Sequence, residues 1–205
     1  GNLFTSALIK TSVISPDFRK RFLSAPGAEE CFVSRVIVFD GPEDYRRRIE
    51  DPSLNIDEHC MLVVRGAGPL GYPGSAEEVN MTPPGALVGS GVRMLPCLGD
   101  GRQSGTSDSP SILHTVPASA AGGNLAILRT GDKVPVDLKN RRVDLLVSDE
   151  EFEARRNALP ATVLKNDSPW QEFYRAQVGQ LDTGACLEFA IEYHDLREVV
   201  PRHSH

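Results

Sequence analysis

Three β-rich runs, 125–128, 133–138 and 142–147, follow one another joined only by Thr130-Gly131-Asp132 and Lys139-Asn140-Arg141. Turns this short cannot carry a crossover, so the strands they join are expected to run antiparallel. A simple doubly wound parallel sheet is thereby excluded. Further β-rich runs stand at 33–39, 60–64 and 111–116, with helix-start signals between and after them. The order predicts a mixed α/β fold, a β-barrel-like sheet with antiparallel hairpins flanked by helices, in a single domain over 1–205.

The helix starts are chemically distinct. Ser15-Pro16-Asp17 reads as an N-cap followed by proline at the first helical position, with Phe18 and Phe22 on one face. Asp40-Gly41-Pro42-Glu43-Asp44 places acids in a first turn, where the helix dipole favours them. Tyr45 and Ile49 then face inward, while Arg46, Arg47 and Arg48 form either a plain exposed face or an anion patch. Ser75-Ala76-Glu77-Glu78, Ser148-Asp149-Glu150-Glu151 and Ser168-Pro169-Trp170-Gln171 fit capping boxes. The first box assigns Glu78 to the Ser75 amide and leaves Glu77 as either an ordinary helix-start acid or a ligand for a metal or substrate. Trp170, Phe173, Tyr174, Val178 and Leu181 follow helical spacing, so Trp170 is expected in the core, with Gly184 ending that helix. Residues 85–95 fit helix or loop, 117–123 a short helix or turn, and 192–205 a polar extended tail.

Composition narrows the partners. The 205 residues are 40% hydrophobic and 24% charged, with a net charge of −6, as in a soluble globular domain with a sizeable core. An acidic balance argues against nucleic acid and anionic membrane. No apolar run approaches the ~20 residues of a membrane span, and no secretory leader is expected from the opening residues. Cys31, Cys60, Cys97 and Cys186 form no C-x-x-C pair, which predicts lone buried thiols in a reducing cytoplasm. His59, His114, His194, His203 and His205 lack metal-ligand spacing. The phosphate- and dinucleotide-binding glycine fingerprints are missing as well. Gly1-Asn2-Leu3-Phe4 reads like mid-protein sequence, so the chain is expected to be an excised domain.

Two loops carry most of the glycine and hydroxyl content. One is Pro96-Cys97-Leu98-Gly99-Asp100-Gly101-Arg102-Gln103-Ser104-Gly105-Thr106-Ser107-Asp108-Ser109-Pro110; the other runs over 66–81. Glycines let a ligand approach the main chain closely. By composition alone these are either polar surface loops or the two walls of one site.

The motifs within them resemble a known family. Asp100-Gly101-Arg102-Gln103-Ser104-Gly105 is similar to the D-G-R-x-S-G signature of the dihydroxy-acid dehydratase/6-phosphogluconate dehydratase family. Gly66-Ala67-Gly68-Pro69-Leu70-Gly71-Tyr72-Pro73-Gly74 resembles its G-P-x-G-x-P-G loop, and Glu77 falls where the family carries an acid. The likeness continues to Val200-Pro201-Arg202 and covers essentially the whole chain, but only the family's C-terminal domain. Within the family, Gln103-Ser104-Gly105-Thr106-Ser107 resembles the sugar-acid branch, the L-arabinonate and D-xylonate dehydratases. The branched-chain amino-acid enzymes carry Phe at the place of Gln103.

The resemblance implies a swivelling β/β/α domain and a hydro-lyase that converts a 2,3-dihydroxy acid to a 2-keto-3-deoxy acid. It implies Ser104 as the base for the C2 proton and Glu77 as a ligand of Mg²⁺, with Arg102 and Thr106 lining the substrate pocket. It also implies an iron–sulfur cluster acting on the C3 hydroxyl, held by cysteines of an N-terminal domain that this chain does not contain. None of the four cysteines here matches a cluster position. The expectation is therefore an isolated domain without activity, completing its site with the N-terminal domain of the same protein in a homo-oligomer. The competing readings are a dihydroxy-acid dehydratase of branched-chain synthesis, or a non-catalytic module that binds an anion or serves as a structural hinge partner.

Overall fold

A computed structural model describes residues 1–77, 81–103, 110–160 and 164–193. One open sheet of seven strands organises it: β1 (Ser6–Ile9), β2 (Cys31–Asp40), β3 (Cys60–Arg65), β4 (Cys97–Gly99), β5 (Ser111–Val116), β6 (Lys133–Asp137) and β7 (Arg142–Val143). Their spatial order is β1-β5-β4-β3-β2-β6-β7. The middle of the sheet is parallel, β2 with β3, β3 with β4, and β4 with β5. Antiparallel pairing is confined to the flanks, where β1 joins β5, β6 joins β2 and β7 joins β6.

Of the two expected hairpins only the second exists, and it lies at one edge of the sheet. Residues 125–128 are not a strand: Asn124–Ile127 form a 3-10 turn. Arg65 at the end of β3 takes the carbonyls of Leu125, Ala126 and Leu128 at 3.2, 2.7 and 2.8 Å, oxygens that a strand ladder would need. The parallel centre follows from composition. Strands β2 and β3 are apolar at successive positions because both faces are covered. Val36, Val38, Met61 and Val63 pack into one core with Leu98, Leu125, Val134 and Leu145. Ile37, Phe39, Leu62 and Val64 pack into a second, under Tyr45 and Ile49.

Among the described residues five α-helices accompany the sheet: α1 (Pro16–Phe22), α2 (Pro42–Arg48), α3 (Gly85–Gly89), α4 (Asp149–Asn157) and α5 (Pro169–Gln177). Ser15, Ser148 and Ser168 each cap a helix through the side-chain oxygen, as their sequence motifs require. Phe18 and Phe22 are buried on α1, ring centroids 4.5 Å apart, against Phe32. On α2, Arg46 stays in solvent while Arg48 reaches Asp44 at 2.7 Å.

The sheet curls so that β1 and β7 face each other across a cleft of about 560 Å³. Asn2 bridges it: its side-chain oxygen accepts from the Leu145 amide at 2.7 Å and its amide group donates to the Leu145 carbonyl at 3.3 Å. The result is a half-barrel. Two expectations fail on α5 and beyond it. Trp170 is 79% exposed, and Phe173 is exposed too. The helix ends at Gln177, while Gly184, at φ +93°, closes a separate short turn over Leu181–Thr183. All four cysteines are free, but only Cys60 and Cys97 are buried. Glu192 and Tyr193, expected to be extended, belong to a 3-10 segment over Glu188–Tyr193. No helix among the described residues is long and apolar enough to cross a membrane.

Candidate functional site

The parallel strands β3 and β4 end side by side, and the two glycine loops leave from their C-terminal ends, where open α/β sheets place ligands. One buried side chain joins the loops. Asp100, with no exposed surface, follows β4 directly. Its carboxylate accepts from the amides of Gly66 (3.0 Å), Ala67 (3.0 Å) and Gly68 (3.2 Å) in the first loop. It also accepts from the Ser119 amide at 2.8 Å and from the Ser119 hydroxyl.

Around that anchor the first loop closes on itself. The amides of Tyr72 and Ser75 donate to the carbonyls of Gly66 (2.8 Å) and Ala67 (2.7 Å). The approach is so close that a Cβ on Gly71 would lie 2.1 Å from the Gly66 oxygen, and one on Gly68 would lie 2.5 Å from the Asp100 carbonyl. These two glycines are fixed by space rather than by backbone angle.

The same closure overturns the capping box at Ser75. An N-cap needs extended backbone angles, but Ser75 sits at φ +58°. Its amide is spent on Ala67, its carbonyl accepts from Arg102 Nε at 2.5 Å, and its hydroxyl is buried without a partner among the described residues. Glu78, the other half of the box, lies outside the described residues.

What the loops present is a pair of opposite charges. The Arg102 amide donates to the Ala76 carbonyl at 2.8 Å, and Glu77 and Arg102 stand beside each other as a parallel bridge. Both are exposed. Residues 25 apart in sequence, an acid and a base, thus meet at the loop seam. Ser104 and Thr106 lie outside the described residues, one and three positions past the described Gln103.

The residues present fit a hard divalent cation only in part. Glu77 offers a solvent-facing carboxylate, a suitable oxygen ligand, but among the described residues no three of His, Cys, Asp and Glu gather into a metal site. The cysteines do not fit an iron–sulfur cluster. They stand on separate elements, and burial pushes the Cys60 thiol up to about 11, beside Asp57 at 3.2 Å.

A cavity of about 890 Å³ opens near the first loop, lined by Arg65, Gly71, Tyr72, Ser119, Lys165 and Arg175 among others. Neither Glu77 nor Arg102 borders it. Its guanidinium groups are committed to structure: Arg65 to Asp40 at 2.7 Å and to three carbonyls, Arg175 to the carbonyls of Lys165 (2.6 Å) and Gly71 (3.2 Å). We assign the candidate site to the Glu77–Arg102 seam on these grounds.

Residues 1–185 match the family model described as dihydroxy-acid/6-phosphogluconate dehydratase C-terminal. The chain belongs to this family. Within the dehydratase family, it is 57% identical over 209 residues to the D-xylonate dehydratase of Caulobacter vibrioides, covering 100% of this chain and 34% of that protein. It is 40% identical over 158 residues to the L-arabinonate dehydratase of Rhizobium leguminosarum bv. trifolii, covering 76% and 27%. It is 34% identical over 181 residues to the dihydroxy-acid dehydratase of Pyrococcus furiosus, covering 88% and 32%. The chain therefore spans about a third or less of the length of these dehydratases.

Two structural residues escaped the sequence reading. Asp100 was visible only as a charge, although an acid closing a strand of buried residues has to find donors. His114, the one position of β5 that is not fully buried, stood out in the sequence only as a histidine within a β-rich run.

Proposed function

We propose that this chain is the C-terminal part of a sugar-acid dehydratase, a hydro-lyase acting on an aldonate. The observation that carries the reading is whole-chain identity of 57% to a D-xylonate dehydratase, against 34% to a dihydroxy-acid dehydratase. The loop seam supports it, because it exposes an acid and an arginine where an anionic substrate and a cation could meet.

In this reading the Ser104 alkoxide takes the proton from C2, hydroxide leaves C3 and takes up that proton as water, and the resulting enol tautomerises to the 2-keto-3-deoxy acid. A serine hydroxyl is too weak an acid to serve unaided, so its alkoxide needs nearby positive charge and amide donors. Glu77 would supply one ligand to Mg²⁺, whose charge would favour ionisation at the substrate's C2 side. Arg102 and Thr106 orient the substrate. The iron–sulfur chemistry of the family has no ligands in the described residues and is assigned to the rest of the longer protein.

That assignment makes the isolated chain inactive and its exposed apolar surface a covered one. Trp170, Phe173, Phe189, Ile191 and Tyr193 all reach solvent, with the rings of Phe173 and Phe189 5.9 Å apart. An aromatic surface of this kind marks a contact, here with the N-terminal part of the same protein, in a homo-oligomer. The test is to produce the longer protein anaerobically with iron and Mg²⁺ and follow 2-keto-3-deoxy acid formation from pentonates, hexonates and 2,3-dihydroxyisovalerate. Aldonate turnover that is lost in S104A, with weakened Mg²⁺ dependence in E77Q, supports the proposal. Turnover only of the branched-chain acid, or normal turnover by S104A, refutes it.

A further inference from the structure

We infer that His114 is a positioning residue that sets where the Ser104 loop leaves the sheet; the inference rests on the reading of Ser104 as the base. Strand β5 carries one extra residue against β1, since Ser6 pairs with Val116 but Leu8 with Leu113. His114 lies within that bulge at φ +58°, a left-handed conformation that non-glycine residues adopt only where the surroundings hold them. Bulges re-aim side chains, often beside active sites. Here the bulge turns His114 onto the second loop.

One residue then grips the loop at two points. The His114 amide donates to the Gly101 carbonyl at 2.9 Å, and its Nε2 accepts from the Gln103 amide at 2.8 Å. Arg102 is held between these two bonds, and its own amide fixes Ala76, so the clamp lies directly behind the Glu77–Arg102 seam. Because Nε2 accepts, the ring is neutral with its proton on Nδ1. Burial, reinforced by the neighbouring Arg102 charge, holds its pKa below the usual imidazole value and keeps it an acceptor. Gln103 is the last described residue before Ser104. Without the imidazole its partly buried amide loses its acceptor and the loop loses its point of departure.

The test uses the longer protein carrying H114L, which removes the acceptor, and H114Q, whose side-chain oxygen can reach the place of Nε2. Amide hydrogen exchange over 99–104 is expected to quicken roughly tenfold in H114L, the size of one lost hydrogen bond, with 60–65 unchanged. In H114Q it should stay near wild type. The kcat for dehydration falls on the order of 10²-fold in H114L at little-changed KM, as for an ångström-scale misplacement, and H114Q restores most of it. Unchanged exchange in H114L, or an H114Q no better than H114L, overturns the inference. Should H114L lose protection across the whole sheet, H114M replaces it, filling the space adaptively without a strong acceptor. If S104A keeps normal turnover, the base assignment falls, while exchange alone still decides whether the clamp exists.

Discussion

Replacing Asp100 with asparagine should be among the most damaging isosteric changes this chain can suffer. The two carboxylate oxygens divide the donors: Oδ1 takes Ala67 and Gly68, while Oδ2 takes Gly66 and both donors of Ser119. An amide keeps only one acceptor oxygen and turns a donor toward the other set. If the Oδ1 set is lost, two buried amides are orphaned. If the Oδ2 set is lost, the Ser119 hydroxyl can rotate to accept, but the amides of Gly66 and Ser119 remain unpaired. Two orphaned donors at about 1–3 kcal/mol each give a loss of about 2–6 kcal/mol. A domain's whole stability is only about 5–15 kcal/mol. Urea unfolding of the 205-residue chain, followed by circular dichroism, reads the change as a lowered midpoint at constant slope. The exposed control E153Q should stay within about 0.5 kcal/mol of wild type. A D100N loss below about 1 kcal/mol would refute the claim that this carboxylate holds the two loops together.

Two further outcomes follow from buried charge. Arg155 lies 2.6 Å from Asp132 and 2.6 Å from Glu151, with Asp132 nearly as buried as the arginine and Glu151 half-exposed. R155A should therefore cost about 3–5 kcal/mol by stranding Asp132, whereas E151A should cost less than about 1 kcal/mol; urea midpoints that rank the two equally would sink this. Burial alone would raise the Asp44 pKa, but the Asp40 amide with Arg48 and Arg47 outweighs it and holds the carboxyl below its ordinary value. The folded state then binds fewer protons than the unfolded one, so this stabilisation is present above about pH 4 and is lost as pH falls through the lowered value. D44N should flatten the acid limb of the stability curve measured by urea midpoints, and an unchanged acid slope would show that Asp44 does not shape it.

Legibility in the sequence tracked the distance over which each feature is decided. Ser15, Ser148 and Ser168 were readable because cap and capped amide lie three residues apart. The apolar runs of β2, β3 and β5 were readable because burial on both faces leaves a continuous pattern. Residues 125–128 misled because their fate is set by Arg65, some 60 positions away. Ser75 misled for the same reason: the carbonyl of Ala67 and the guanidinium of Arg102 compete for the backbone groups a cap would use. Trp170 shows a further limit, since helical spacing tells which side chains share a face and not whether anything lies opposite. Family resemblance named Glu77 and Arg102, but their meeting depends on two strands ending in register.

The five donors converging on Asp100 also settle what that residue is free to do. A carboxylate has about four lone-pair positions, and all are taken by its own chain, so it has none to offer a metal. The acid that stands first in the most recognisable motif is thus chemically spent on joining the two loops. Side chains elsewhere in the two loops, Arg102 apart, are thereby relieved of holding them together. Changes meant to leave the fold intact should therefore spare Asp100 and its glycine partners.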